Sequence, residues 1–144
     1  MSINREDATG IIAAFKLAND LGNESIQLVT ATGLESDASE YRRLVGQFMG
    51  TSYLNLLRPA MSQFEGLDMP QFVKSNHPTA QGPDRVKFTI DEFLLKAKFA
   101  IATFGEVIRQ AEVDSSLRPG SLREIEASVE QIDIFVTNLV KKNP

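Results

Sequence analysis

Residues 89–111 read TIDEFLLKAKFAIATFGEVIRQA. The apolar positions of this stretch recur at alternating gaps of four and three residues, and they are Ile90, Leu94, Ala97, Ile101, Phe104, Ile108 and Ala111. Such an unbroken heptad pattern is typical of a helix whose apolar face packs against other helices. Thr89 and Glu92 have the spacing of a capping box, which predicts that the helix begins at residue 89. The stretch therefore indicates a helical bundle.

A second heptad pattern lies near the end of the chain, at Leu122, Ile125, Val129, Ile132, Val136 and Leu139. Ser121 and Glu124 again have the spacing of a capping box, and the turn residues Pro119 and Gly120 come directly before them. Two apolar seams joined by a short connection predict an antiparallel helical hairpin.

The first half of the chain predicts two further helical regions. A helix over residues 4–21 can be capped by Ser2 or Asn4 and ended by Gly22 and Asn23, because both of these residues tolerate the left-handed backbone that ends helices. Residues 24–36 are rich in β-branched side chains, and we interpret them as a short helix or an ordered connector. Over residues 37–65 the apolar face changes direction near Gly50, and Pro59 lies in the second half, so we predict one bent helix. Its second half would be buried through Leu54, Leu57, Met61 and Phe64.

These elements predict an all-α fold: a single domain over residues 1–144, built as an up-and-down bundle of four main helices with a bent second helix and the C-terminal antiparallel hairpin. The chain of 144 residues is long enough to bury a core, and its content of 42% apolar and 24% charged residues is ordinary for a globular protein. Residues 74–87 are predicted to form a long loop, and loops of this length are often functional or disordered.

The composition argues against several classes of partner and chemistry. A net charge of −4 offers no basic footprint for nucleic acid. The absence of cysteine removes disulfides, thiol catalysis and thiolate metal sites. We expect no membrane partner, because no apolar run approaches the length of a membrane span and neither long helix has a basic face. The chain shows no secretory signal pattern, so a cytoplasmic location is expected.

Catalytic and metal-binding patterns are similarly scarce. The single histidine, His77, lies in the predicted loop before Pro78. It could act as a base or a metal ligand together with Asp84, but a solvated turn residue is the more ordinary interpretation. A di-iron bundle needs paired Glu-x-x-His motifs, which one histidine does not supply. We found no nucleophile elbow, phosphate loop or dinucleotide fingerprint. We therefore predict a non-enzymatic protein with no catalytic residues, no metal and no cofactor.

Some apolar residues fall outside the heptad seams. Leu95 and Phe99 form a second stripe on the third helix, and Ile134 points outward from the last one. A helix that is apolar on two sides either lies centrally in its own domain or exposes a binding patch. Both interpretations stay open, since the first two helical regions could cover the stripe. We predict a protein–protein interaction module that forms a homodimer, or binds another protein, through Leu95, Phe99 and Ile134.

Two alternatives rest on other residues. Glu126, Glu130 and Asp133 form an acidic face on the last helix, which is either solvated or a docking surface for a basic partner, as in an inhibitor or immunity-type protein. Met49, Met61 and Phe64 are either ordinary core residues or the lining of a site for a small apolar ligand in a regulatory bundle, since methionine adapts to irregular cavities.

Overall fold

The computed structural model describes residues 3–32, 35–64, 66–67 and 82–142, and it confirms the all-α fold class. Its helices are α1 (Arg5–Thr32), α2 (Glu35–Ser52), α3 (Arg58–Gln63), α4 (Gly82–Val113) and α5 (Ser121–Lys142). A π-helical turn, Tyr53–Leu57, joins α2 to α3. Over the described part of the chain, none of the helices combines the length and the apolar character needed to span a bilayer.

The four long helices form a bundle in which every neighbouring pair is antiparallel. Gly10 near the start of α1 faces Phe104 late in α4, and Glu24 farther along α1 pairs with Arg85 early in α4. Corresponding contacts make α1 antiparallel to α2, α2 to α5, and α4 to α5. The order around the bundle is α1, α2, α5, α4. Consequently α2 and α4 run in the same direction and lie on a diagonal.

The predicted heptad seams of α4 and α5 form most of one side of the core. On α4 the seam is widened by Phe93 and Ala100, which are fully buried beside Ala97 and Ile108. Phe93 packs edge-on against Phe48 of α2, with ring centroids 5.5 Å apart. The predicted C-terminal hairpin is confirmed, because α4 and α5 are antiparallel neighbours joined by a short turn. Its turn holds Gly120 with φ +85, a left-handed backbone that glycine adopts without steric cost.

The first helix is longer than predicted. Of the two predicted caps, Ser2 and Asn4, the structure shows Asn4 as a cap, since its Oδ1 accepts the backbone N–H of Asp7 at 2.7 Å. The predicted stop at Gly22 is wrong, because α1 continues to Thr32 and includes residues 24–32 as its last turns. Gly22 is buried, and a Cβ there would lie 3.0 Å from Val45 Cγ1 and 3.1 Å from Phe93 Cε1. This glycine allows three helices to approach closely and does not end one.

The second helical region is continuous but irregular, as the prediction of one bent helix requires. Its junction residues keep right-handed helical dihedrals, and the N–H of Arg58 donates to the carbonyl of Tyr53, five residues earlier. The wider turn directly precedes Pro59, whose ring would clash in an α-helix with the carbonyl of Asn55. A π-helical turn contains one residue more than an α-helical turn, and this additional residue changes which side chains face the core. Leu56 is buried. The prediction that Leu54 is buried is therefore wrong.

The start of α4 also differs from the prediction. The helix begins at Gly82, so residues 82–87 are helical and do not belong to a loop. Thr89 is a buried residue inside the helix, and its Oγ1 donates to the carbonyl of Arg85 at 2.8 Å. The predicted capping box at residue 89 is therefore wrong. Residues 68–81, which include His77, and the side chain of Asp84 lie outside the described residues.

The predicted start of α5 at Ser121 is confirmed, although its capping box does not form. Ser121 Oγ donates to the carbonyl of Arg118 at 2.5 Å. The carboxylate of Glu124 binds Arg118 and, at 2.9 Å, the side chain of Asn55. The start of α5 is thus tied to the preceding turn and to the π-helical turn.

Candidate functional site

The outer face of α4 carries an exposed apolar surface, here called the outer stripe, formed by Phe88, Leu95, Phe99 and Ala102. Phe99 is 62% exposed and Leu95 is 58% exposed, which is unusual for side chains of this size near the middle of a long helix. Within the described part of the chain, neither α1 nor the α2–α3 region covers Leu95 or Phe99.

The geometry of α4 explains why the outer stripe faces solvent. Successive residues turn by about 100°, so the stripe lies roughly opposite the buried seam through Phe93, Ala97 and Ala100. The two flanks of α4 are occupied by α1 and α5. On the α5 side, Lys98 Nζ lies 2.8 Å from Asp133 Oδ2. On the side away from the bundle axis, Leu95 and Phe99 are exposed.

Leu17 of α1 is an exposed apolar residue that the sequence analysis missed. It lies midway between Gly10 and Glu24, at spacings of seven residues, so all three share one side of α1. Since Gly10 faces Phe104 and Glu24 pairs with Arg85, that side adjoins α4. Leu17 therefore lies beside α4 near the level of Leu95. Only the packing of α1 on α4 reveals this, because no local pattern marks Leu17.

Ile134 is also exposed, but the structure does not join it to the outer stripe. It follows Asp133, which turns toward α4 to bind Lys98, and the next residue along a helix points about 100° away. The Lys98–Asp133 ion pair therefore lies between Ile134 and the two residues Leu95 and Phe99. The three predicted interface residues form two separate surfaces.

The predicted acidic face is divided in a similar way. Glu126 and Glu130 are exposed on α5. Asp133 is half-buried, and its carboxylate is engaged by Lys98. Two of the three carboxylates are thus exposed, and the third is partly exposed and ion-paired with Lys98.

The other predicted ligand-site residues, Met49, Met61 and Phe64, are partly buried and pack against the core. Among the residues that the structure describes, no three His, Cys, Asp or Glu side chains come together as a metal site would require.

Among the described residues, Tyr41 has the most strongly shifted pKa, and its role is structural. Tyr41 is buried, and its hydroxyl lies 2.7 Å from Ser25 Oγ, which itself donates to the carbonyl of Gly22 at 2.6 Å. The Tyr41 hydroxyl is therefore the donor to Ser25. Burial raises the pKa of Tyr41 to about 12. A phenol in this state stays protonated at neutral pH and joins α1 to α2.

Glu24 is the second buried ionisable group. Its Oε1 lies 3.5 Å from Arg85 Nη2, and this carboxylate oxygen has no hydrogen-bond partner within the described residues. The ion pair joins α1 to the first turns of α4.

Comparison with known proteins assigns no family or function to the chain: no protein-family model, no curated protein and no solved structure matches it.

Proposed function

We propose that this protein is a non-enzymatic protein–protein interaction module that self-associates through the outer stripe of α4. The observation that carries the proposal is the exposure of Leu95 and Phe99 on one helix face, with Phe88 on the same face and Leu17 beside it. Single exposed apolar residues are common on proteins, whereas a continuous apolar stripe is typical of a binding surface.

The apolar area suggests a weak complex. Burying the exposed parts of Leu95 and Phe99 would contribute about 1–2 kcal/mol each, or about 4–8 kcal/mol over two subunits. Association costs about 4–15 kcal/mol in lost translational and rotational freedom. Burial of Leu17 in both copies would add about 1–3 kcal/mol. We therefore expect a reversible dimer with a dissociation constant in about the micromolar range.

Sedimentation equilibrium tests the proposal directly. The unmodified protein should pass from monomer to dimer between about 1 and 100 μM. Phe99→Asp and Leu95→Asp should each keep it monomeric over that range, because a carboxylate would have to be desolvated in the interface. Circular dichroism should show unchanged helix content for both variants.

Leu54→Asp is the matched control. Leu54 is 56% exposed, close to the value for Leu95, but it lies on the π-helical turn, away from α4. This variant should dimerise normally. Ile134→Asp tests the separate surface of α5 and should also leave the dimer intact. A monomeric unmodified protein, or a Phe99→Asp variant that unfolds because Phe99 belongs to the core, would refute the proposal.

A further inference from the structure

Two exposed glutamates of α5 lie along the groove between α4 and α5, opposite the outer stripe. The first is placed by the contact of Asp133 with Lys98 of α4. Glu126 precedes Asp133 by seven residues, which is about two helical turns, so its side chain also points toward α4. Because the two helices are antiparallel, Glu126 lies between one and two turns beyond Lys98 along α4, near Ala102.

The second glutamate, Glu130, lies on the outer shoulder of the same groove. It precedes Asp133 by three residues, so its side chain is rotated by about 60° around α5. Val129 and Ile132, which lie on the opposite side of the Asp133 direction, are buried, so the rotation carries Glu130 toward solvent. Its level along α4 is close to that of Phe99. The groove therefore has an apolar wall, which is the outer stripe, and an acidic wall, formed by Glu126 and Glu130.

The carboxylates of the acidic wall are exposed, and neither has an ion-pair or hydrogen-bond partner among the described residues. The other charges near the groove are already matched. Asp133 pairs with Lys98, and Glu106 at the far end of the outer stripe pairs with Arg109 at 3.0 Å. Arg123 is exposed one turn before the acidic wall, but it forms no ion pair with Glu126. The groove thus places unneutralised negative charge beside exposed apolar surface.

Both walls repeat with the spacing of a helix. Phe99 and Ala102 are three residues apart, and Glu126 and Glu130 are four residues apart. An amphipathic helix lying along the groove can cover the outer stripe with its apolar face. Lysine or arginine residues one turn apart on its flank would then lie beside the two carboxylates. A helix with acidic residues in those positions would be repelled.

We infer that the groove between α4 and α5 is a docking site for a basic amphipathic helix of a partner protein. The outer stripe contacts the apolar face of that helix, and Glu126 and Glu130 contact its cationic residues. This inference goes beyond self-association and does not depend on it, because it uses the acidic wall as well as the outer stripe.

A synthetic peptide is the probe. It has about 14 residues, or about four helical turns, with leucine on one face and lysine on both flanks. Fluorescence anisotropy of the labelled peptide at low salt should show binding with a dissociation constant in about the micromolar range. A matched peptide with glutamate in place of lysine should not bind.

Neutralising the acidic wall tests its role. The double variant Glu126→Gln and Glu130→Gln should weaken binding by about tenfold at low salt, and the difference should largely disappear at about 0.5 M salt. The matched control is Glu6→Gln with Glu40→Gln, which removes the same net charge from α1 and α2. It should bind within about twofold of the unmodified protein. Circular dichroism should show unchanged helix content for both double variants.

Three further variants test where the peptide lies. Phe99→Ala should weaken binding by about tenfold, because it removes most of the apolar wall. Leu54→Ala, on the π-helical turn, should have no effect. Arg123→Gln should strengthen binding by about twofold to threefold, since it removes a repulsive charge beside the acidic wall.

Three results would overturn the inference. The lysine peptide might fail to bind, in which case the groove is not a docking site. Equal weakening by the two glutamine double variants would mean that net charge alone attracts the peptide. Unchanged affinity in Phe99→Ala would place the peptide elsewhere on the molecule. Sedimentation equilibrium without peptide tests self-association separately, so the two proposals can fail independently.

Discussion

At the scale of single residues, the helices contain two kinds of glycine that should respond oppositely to substitution. Gly22 is enclosed by the fully buried side chains of Val45 and Phe93. Gly46 and Gly50 are exposed in α2, and a Cβ added at either would meet nothing within 4 Å.

We expect Gly22→Ala to destabilise the protein by about 1–2 kcal/mol, because overpacking of an enclosed site outweighs the gain in helix propensity. Gly46→Ala or Gly50→Ala should stabilise it by about 0.5–1 kcal/mol, since alanine loses less backbone entropy in a helix. Urea denaturation of the three variants measures both effects. Stabilisation by Gly22→Ala would mean that the three helices can separate without cost.

Tyr41 should make stability depend on pH at alkaline values. Burial raises its pKa to about 12 in the folded protein, whereas a tyrosine in an unfolded chain has a pKa of about 10. Between these values the unfolded state loses a proton that the folded state keeps, so the free energy of unfolding falls as pH rises. The stabilising contribution of the protonated Tyr41 phenol is fully present below about pH 10. About 2–3 kcal/mol of the free energy of unfolding should be lost by pH 12.

The measurement is chemical denaturation at several pH values for the unmodified protein, Tyr41→Phe and Tyr53→Phe. Tyr41→Phe should lose less stability over this range, because it has no buried phenol to ionise. Tyr53→Phe retains Tyr41 and should follow the unmodified protein. Identical pH profiles for all three proteins would contradict the assignment of this titration to Tyr41.

At the scale of elements, the π-helical turn is the feature that brings the two halves of the second helical region into one core. An extra residue at this turn keeps Tyr41 and Phe48 of α2 on the same side as Leu57 and Ala60. Without it, an α-helix with these residues would turn its second half about 100° away from the core.

We therefore expect that deleting the exposed Leu54 together with Pro59→Ala will convert the region into a regular α-helix and preserve the fold. The deletion removes the extra residue, and the alanine supplies the N–H and the space that an α-helical turn needs. The matched control is a deletion of exposed Gly46 with the same Pro59→Ala change. It should unfold the protein, because it rotates Phe48 and Ser52 away from the core. Circular dichroism and thermal unfolding distinguish the two outcomes.

At the scale of the whole molecule, the proposed dimer should make thermal stability depend on concentration. A partner that binds only the folded chain stabilises it by mass action. We expect the midpoint of thermal unfolding to rise by about 2–4 °C when the protein concentration is raised a hundredfold above the dissociation constant. The Phe99→Asp variant should show a constant midpoint. A concentration-dependent midpoint in that variant would place the interface elsewhere on the molecule.

The sequence by itself determined the features that repeat along the chain. The heptad seams of α4 and α5, a cap at the start of α1 and the position of Leu95 and Phe99 opposite the seam all follow from helix periodicity and local hydrogen bonding. These properties depend on residues within a few turns of one another, and the structure agrees with them.

Only the tertiary structure decided where some helices begin and end and which exposed side chains are neighbours, because these features depend on contacts between residues far apart in the sequence. Gly22 continues a helix because Val45 and Phe93 need the space of its missing side chain. Thr89 lies inside α4 because the helix begins earlier, at Gly82. Leu17 lies beside α4 near the level of Leu95, and the Lys98–Asp133 ion pair separates Ile134 from Leu95 and Phe99, through the packing of different helices. A sequence lists such residues far apart, and their contacts exist only after the helices have packed.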